Sequence, residues 1–163
     1  MASTYEPIAT TTVSGTSTAT VTFSSIAGTY TDLILISNLG IVSGSVSDFK
    51  MTFNSDTANN YSSTYLYGNG TSAISGNGSS QASALVGRTT TALGTMLLQI
   101  MNYSNTTTYK TVVERSGVAG NDLLARVNIW RSTSAITSIS IATQASTFFA
   151  NGSTFTLYGI AAA

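Results

Sequence analysis

Short segments in which apolar and polar residues alternate recur along the whole 163-residue chain. Thr16 to Phe23 ends in such a run, and Ser47 to Asn54 alternates so that Phe49, Met51 and Phe53 are predicted to point inward. Because successive side chains on a β-strand point to opposite faces, a period of two indicates half-buried strands. Turn residues separate the segments at intervals of about 8 to 12 residues. The chain is therefore expected to be all-β.

Two segments lack a polar face altogether. Leu33 to Ile36 reads LILI, and Thr154 to Ile160 carries large residues on both faces, such as Phe155 on one and Tyr158 on the other. A strand with two apolar faces belongs in the middle of a packed β structure. We expect the other strands to assemble around the last one.

About nine or ten strands are predicted, and no segment shows a convincing helical period. The expected fold is an antiparallel β-sandwich of the jelly-roll type with about 8 to 10 strands. Residues 1–12 are predicted to form an extended arm and the first strand, and residues 13–163 a single sandwich domain. The segment 54–80 is rich in Asn, Gly and Ser and is predicted to be a long loop.

The amino-acid composition excludes several classes of chemistry. The sequence contains no cysteine and no histidine, so disulfides, thiolate zinc sites and Ser-His-Asp catalysis are impossible. Six basic and six acidic residues give a formal net charge of zero. Nucleic-acid binding needs clustered Lys and Arg, and here these residues are scattered, so we expect no nucleic-acid partner.

Serine and threonine make up about a third of the chain, which is far above ordinary usage. Such a surface hydrates without charge repulsion, and a near-zero net charge favours association. Exposed strand edges normally carry charges, so we expect the edges of this sandwich to be covered by a loop, by a symmetric partner or by a host lattice. No apolar run is long enough to span a membrane, and the first residues lack the pattern of a signal peptide. Synthesis in a host cytoplasm is expected.

Asn54, Asp56 and Asn59 form an oxygen-rich group that resembles a calcium loop only loosely. The group supplies one carboxylate and misses the spacing of an EF-hand loop. An Asx-type turn, in which the side chains bond the backbone, is the expected structure. No metal and no cofactor are predicted.

Glycosidase chemistry requires two carboxylates in one cleft, and Asp48 with Asp56 or Asp32 with Glu114 are the candidate pairs. Asp48 is predicted to point outward from its strand, and pairing of these acids with nearby Arg or Lys is the expected alternative. Glu114 and Arg115 are adjacent on one strand, so their side chains point to opposite faces and cannot pair with each other. Each is expected to pair with a residue on a neighbouring strand. No catalytic residues are assigned, and the chain is not expected to be an enzyme.

Trp130 is expected to be a core residue.

A cluster of tyrosines lies in the predicted loop, at Tyr61, Tyr65 and Tyr67. Tyrosines among small polar residues suit adaptable binding surfaces, but they also pin a loop to its own sheet. Both readings stay open. Together with Tyr5 and Ile8 in the N-terminal arm, these residues are the candidate partner contacts.

Six stretches carry a resemblance to a known family. They read MASTYEPIATTTV, FSSIAGTYTDLILI, FNSDTANNYSSTYLYGNG, MNYSNTTTYKTVVERSG, WRSTSAITSI and ANGSTFTLYGI, and they cover most of the chain in order. In combination they resemble a family of small virion proteins of tailed bacteriophages. Ser55 departs from that family, which has glycine after the FN pair.

The resemblance implies a structural, non-enzymatic role in the phage particle. The leading expectation is a capsid decoration, or cement, protein on the outer capsid surface. It would form a homotrimer and stabilise the head by contacting the major capsid protein or other virion subunits. The alternative is a tail or fibre module that binds host-surface carbohydrate. In the first case, removal of residues 1–8 should abolish capsid binding without unfolding the domain.

Overall fold

A computed structural model describes residues 4–45, 47–144 and 147–161 and contains twelve β-strands and no helix within those ranges. The strands are β1 (Tyr5–Thr12), β2 (Thr20–Phe23), β3 (Asp32–Leu39), β4 (Ser47–Phe53), β5 (Tyr61–Gly68), β6 (Ala73–Gln81), β7 (Ala84–Thr89), β8 (Gly94–Met101), β9 (Lys110–Val118), β10 (Asp122–Trp130), β11 (Ile139–Thr143) and β12 (Thr154–Ile160). The all-β prediction is confirmed. The described part of the chain has no helix of the length and apolar character that a membrane crossing requires.

The strands form two antiparallel sheets that pack as a β-sandwich, as predicted. The larger sheet has eight strands in the order β1-β12-β3-β8-β9-β10-β5-β6, and the smaller has four in the order β2-β11-β4-β7. Eight of the strands pair in a nested pattern, in which β1 pairs with β12, β2 with β11, β3 with β8 and β4 with β7. The other four strands come from two hairpins, β5–β6 and β9–β10, which extend the larger sheet beyond β8.

The prediction of a long loop over 54–80 is wrong, because most of that segment is the hairpin β5–β6. The turn between the two strands is held by Asn69, whose Oδ1 accepts hydrogen bonds from the backbone N–H groups of Thr71 and Ser72. Tyr61, Tyr65 and Tyr67 occur at odd positions, so they share one face of β5. That period of two indicates a strand, although the composition of the segment 54–80 is typical of a loop.

Aromatic rings fill the space between the two sheets. Phe149 lies 5.3 Å from Phe49 and 5.0 Å from Phe155, measured between ring centroids. Phe53 lies 5.5 Å from Trp130 in the same way. All five side chains are buried, which confirms the inward direction predicted for β4 and the core position of Trp130. In a chain without disulfides, such packing carries much of the stability.

The prediction that two strands are buried on both faces holds only in part. In β3, Leu33 and Leu35 are fully buried on one face, and on the other face Ile34 is buried whereas Ile36 is 42% exposed. In β12, Phe155 lies in the core while Tyr158 is half-buried. β12 is the second strand of the sheet, between β1 and β3, so it does not occupy the middle. The other face of these two strands is therefore only partly exposed.

Candidate interaction surface

The hairpin β9–β10 buries several polar side chains among apolar ones on its inner face and exposes apolar side chains on its outer face. On the inner face Glu114, Arg126 and Asn128 are buried, whereas Val113 and Val127 on the outer face are exposed. Ordinary strands show the opposite arrangement, because burying a charged group costs free energy unless it is paired. This inverted polarity makes the outer face of the larger sheet the most unusual surface of the molecule.

The neighbouring strands extend the apolar outer face. Cross-strand pairing aligns Leu97 of β8, Arg115 of β9, Ala125 of β10 and Leu66 of β5 in one row across the sheet. Large apolar side chains exposed on this side of the four strands are Leu66, Met101, Val113, Leu123, Val127 and Ile129, and Ile36 of β3 lies beside them, opposite Leu97. Within the bounds of β5, β8, β9 and β10, all of them described, Arg115 is the one charged side chain on this face. We call the outer side of these four strands the outer face.

Three shallow cavities lie along the outer face. The largest, about 780 Å³, lies where Leu123 and Arg115 meet Gly68, Gly117 and the ends of the two hairpins. A second of about 360 Å³ lies beside it, across Leu123, and a third of about 280 Å³ lies between Thr64 and Val127. Leu123 is 69% exposed and stands between the first two cavities, so the surface offers both an apolar projection and apolar depressions. Such a relief suits contact with another protein surface.

Beneath the outer face, a charge cluster joins the two sheets. Asp48 accepts hydrogen bonds from Nη1 of Arg88 at 3.2 Å and from Nη2 of Arg126 at 2.8 Å. Nε of Arg88 also donates to Asp122 at 2.6 Å. Two tyrosine rings lie against these guanidinium groups, with Tyr67 4.7 Å from Arg88 and Tyr65 5.4 Å from Arg126. The cluster fixes the inserted hairpins to β4 and β7.

The prediction that Asp48 points outward is wrong, because its side chain turns toward two arginines, one of them on the other sheet. The pairing of β4 with β7 shifts register between Ser47 and Phe49, where Ser47 lies opposite Thr89 and Phe49 opposite Val86. The extra residue of this bulge lies on β7, where Gly87 and Arg88 together lie opposite Asp48. The Asp48 carboxylate pairs with Arg88 and with the buried Arg126 of the other sheet. Its pairing with arginine, which was the expected alternative to a catalytic role, is confirmed.

Glu114 occupies the most buried position of the cluster. Its Oε1 accepts hydrogen bonds from the N–H of Gly87 at 2.6 Å and from the hydroxyl of Ser116 at 2.7 Å. Burial dominates over these bonds and over the charge of Arg126, and it raises the pKa of Glu114 to about 7. The predicted cross-strand partner exists for Glu114, which lies opposite Arg126 on β10, whereas Arg115 lies opposite the apolar residues Ala125 and Leu97.

The candidate carboxylate pairs do not form in this fold. Asp48 lies at the start of β4, and Asp56 follows its far end. Asp32 accepts a hydrogen bond from the N–H of Asn102, whereas Glu114 points into the interior. The acids considered for glycosidase chemistry are therefore separated in both cases.

Asp56 forms the expected Asx turn, with its Oδ1 2.9 Å from the N–H of Ala58. Its Oδ2 accepts hydrogen bonds from Nε1 of Trp130 at 2.7 Å and from Nδ2 of Asn60 at 2.9 Å. Burial alone would raise the pKa of this carboxyl, but the bonds from Asn60, Trp130 and the Ala58 N–H hold it below its ordinary value. The Oδ1 of Asn54 accepts hydrogen bonds from two backbone N–H groups. In the described ranges no three His, Cys, Asp or Glu side chains cluster as metal ligands do.

The three candidate tyrosines of β5 differ in exposure. Tyr61 is fully buried, stacks on Trp130 and hydrogen-bonds the N–H of Phe53, so it is a core residue and not a surface contact. Burial raises the pKa of its hydroxyl to about 12. Tyr65 and Tyr67 are half-buried against Arg126 and Arg88. All three pin the hairpin to the sandwich, and a partner contact of Tyr65 and Tyr67 stays a prediction.

The two candidates of the N-terminal arm lie on β1, which pairs with β12 at one edge of the larger sheet. Tyr5 is exposed and lies opposite Ile160, while Ile8 is half-buried and packs against the core. Residues 1–3 of the arm lie outside the described ranges. Capsid contact through Tyr5 and Ile8 stays a prediction.

The apolar outer face was not among the sequence-based candidates, although the sequence carries its signal. In β10, Leu123, Ala125, Val127 and Ile129 share one face, and the other face contains Arg126. An alternation rule would place the aliphatic set in the core. Only the position of Arg126 opposite an acid on β9 indicates that the aliphatic set faces outward. That position is known only once the order of the strands in the sheet is known.

Comparisons of the chain with protein-family models, with curated proteins and with solved structures gave no match.

Proposed function

We propose that this protein is a non-enzymatic structural protein of a bacteriophage virion, which decorates the capsid by docking its outer face on neighbouring subunits. The observation that carries the proposal is the inverted polarity of β9–β10, where Arg126 is buried and Leu123 and Val127 are exposed. The buried Arg126 joins the two sheets of the monomer, but exposure of the aliphatic side chains contributes nothing to a monomer, and burial of the outer face in an assembly explains it.

The size and charge of the outer face support an assembly role. Four strands about 4.8 Å apart and about 25 Å long give a face of roughly 500 Å², which is as large as the principal patch of most monomers. Arg115 is its one charged side chain in the described strands, so burial against a partner costs little desolvation. A contact of this size is weak for one copy and strong when repeated over a lattice.

The strand order supports a jelly-roll type of sandwich, the form implied by the resemblance to virion proteins. Without the two inserted hairpins, the first strand pairs with the last, the second with the last but one, and so on inward. A long hairpin rolled into two sheets has this nested order, as expected for two Greek keys. The inserted hairpins then supply three of the four strands of the outer face.

The three cavities favour a protein partner over carbohydrate. Sugar sites commonly present an exposed aromatic ring for stacking, and here Tyr67 is the aromatic residue among the described lining residues. Its ring already lies against Arg88. We therefore propose docking on the major capsid protein. The resemblance also implies that the protein forms a homotrimer. A tail or fibre module that binds carbohydrate is the alternative, and the test below distinguishes the two.

The test is the copy number of this chain in purified virions, measured by quantitative mass spectrometry against the major capsid protein. Hundreds of copies, together with saturable rebinding of purified protein to stripped particles, are expected. A few dozen copies would place it in the tail, and glycan binding would then be measured. Absence from the particle would overturn both functions.

A further inference from the structure

The larger sheet ends in β6, and none of the described residues pairs with the outer side of that strand. An unpaired edge presents free backbone N–H and C=O groups that can pair with another strand. Native sheets block such edges with charges, proline, bulges or short strands. The four edges of this sandwich, β1, β6, β2 and β7, differ in how far they are blocked.

Three of the edges carry recognisable protection. β1 contains Glu6 and Pro7, and its pairing shifts register between Pro7 and Ala9. β2 is only four residues long. β7 contains Arg88 and, at Gly87, a positive φ of 63° that interrupts a regular strand. Each device discourages pairing with a further strand.

β6 lacks this protection over most of its length. Ala73 to Gly78 contains no charge and no proline and pairs regularly with β5. Its one irregularity lies at the far end, where the register shifts opposite Ser62. The Asn69 N–H bonds the Ser72 carbonyl in the turn, so the alternation of an antiparallel ladder directs the N–H and C=O groups of Ala73, Ser75 and Asn77 outward.

We propose that β6 pairs antiparallel with β6 of a second copy about a two-fold axis, which joins two larger sheets into one. With Ser75 opposite Ser75, Ala73 of each copy lies opposite Asn77 of the other. In that register, all the outward N–H and C=O groups of Ala73, Ser75 and Asn77 are paired, which gives about six hydrogen bonds between the two copies. In a two-fold contact of this kind both copies use the same strand, so the two β6 edges are both paired and no further copy can add to them.

The side chains of β6 fit this register and favour a second copy as the occupant. Ile74 is 40% exposed and comes to lie across from Gly76 of the other copy. A Cβ at Gly76 would fall 2.5 Å from the Tyr65 hydroxyl, so that ring already covers the glycine. Ile74 therefore meets an aromatic surface. Because the edge is uncharged, two identical copies approach without repulsion.

This pairing does not depend on capsid binding and differs from the three-fold association expected above. It predicts an even number of copies, either a dimer or two joined trimers. A protein that decorates capsids as a simple trimer would leave the proposed function intact and overturn this inference.

The first test is sedimentation equilibrium of the full chain over micromolar to millimolar concentrations. An even-numbered species is expected, and Ser75→Pro should weaken it by about tenfold or more, because proline removes the central donor and blocks the edge. The Ser75 N–H does not bond β5, so this variant should fold, as circular dichroism would check. Ser75→Ala keeps the N–H and should associate normally. A monomer or trimer at all concentrations, or equal association of both variants, would overturn the inference.

The second test uses the absence of cysteine from the chain. Ser75→Cys places two thiols on the proposed axis, where Cα atoms about 5.5 Å apart can form a disulfide. Rapid oxidation to a dimer is expected. Ser24→Cys, at an exposed position after β2, is the matched control for random collision. Equal rates for the two variants would contradict the register.

Discussion

Glu114 and Arg126 lie directly opposite each other on β9 and β10, yet their nearest charged atoms, Oε2 and Nη1, are 3.9 Å apart. Neither atom has a hydrogen-bond partner in the described chain. Nη2 of Arg126 pairs with Oδ2 of Asp48 at 2.8 Å, so the charge of Arg126 is already balanced. A second buried anion beside this pair is unfavourable, and burial therefore raises the pKa of Glu114 to about 7.

This position predicts that the free energy of unfolding falls as pH rises from about 4.5 to about 7. A raised pKa means that the folded state holds a proton that the unfolded state has released in this window. The loss should be on the order of 2 to 3 kcal/mol. Glu114→Gln keeps the shape without the ionisation and should flatten the profile. Urea unfolding at pH 5 and pH 7.5 measures the difference.

The control for that experiment is Glu6→Gln on the edge strand β1, which should retain the slope of the unmodified protein. A Glu114→Gln profile as steep as the unmodified one would show that another group titrates in this window.

Asp48→Asn should destabilise the fold by about 2 to 4 kcal/mol, because it leaves the buried Arg126 without its close anion. The cost should be smaller at pH 8 than at pH 5. At pH 8 Glu114 is ionised and can replace Asp48 as the counter-ion, whereas at pH 5 it is neutral. In a Glu114→Gln background the difference between the two pH values should vanish. Denaturation at both pH values tests this, and a pH-independent cost in both backgrounds would contradict it.

The core strands could be predicted from the sequence because their polarity follows burial. Phe49, Met51 and Phe53 alternate with polar residues and lie inward. The hairpin β9–β10 reverses this rule, since Arg126 faces inward and Val127 outward. Its strands were predictable from period alone, but the direction of their faces depends on which acid lies across the sheet. Asp48 was misplaced for a related reason, because its side chain pairs with Arg126 of the other sheet, and one strand alone does not show that contact.

Ser55 offers a test of local strain. Asn54 and Ser55 both have positive φ, 52° and 58°, and the N–H of Asp56 bonds the carbonyl of Phe53 across them. A turn with two positive φ angles favours Asn-Gly, because glycine has no Cβ to clash. Ser55→Gly should therefore raise the free energy of unfolding by about 0.5 to 1 kcal/mol. Ser24→Gly, where φ is not positive, should lower it slightly. Equal effects in thermal or urea unfolding would contradict the strain.

Leu123 and Leu124 separate docking from folding, because these adjacent residues face opposite sides of β10. Leu123 is 69% exposed on the outer face, whereas Leu124 is 1% exposed in the interior. Leu123→Ser should change the free energy of unfolding by less than about 0.5 kcal/mol while weakening binding to stripped capsids. Leu124→Ser should cost about 3 kcal/mol or more, because it leaves a cavity and a buried hydroxyl. Full capsid binding by a folded Leu123→Ser protein, and by Leu66→Ser beside it, would remove the outer face from the docking mechanism. The remaining predicted contacts would then be Tyr5 and Ile8 of the arm and Tyr65 and Tyr67 of β5.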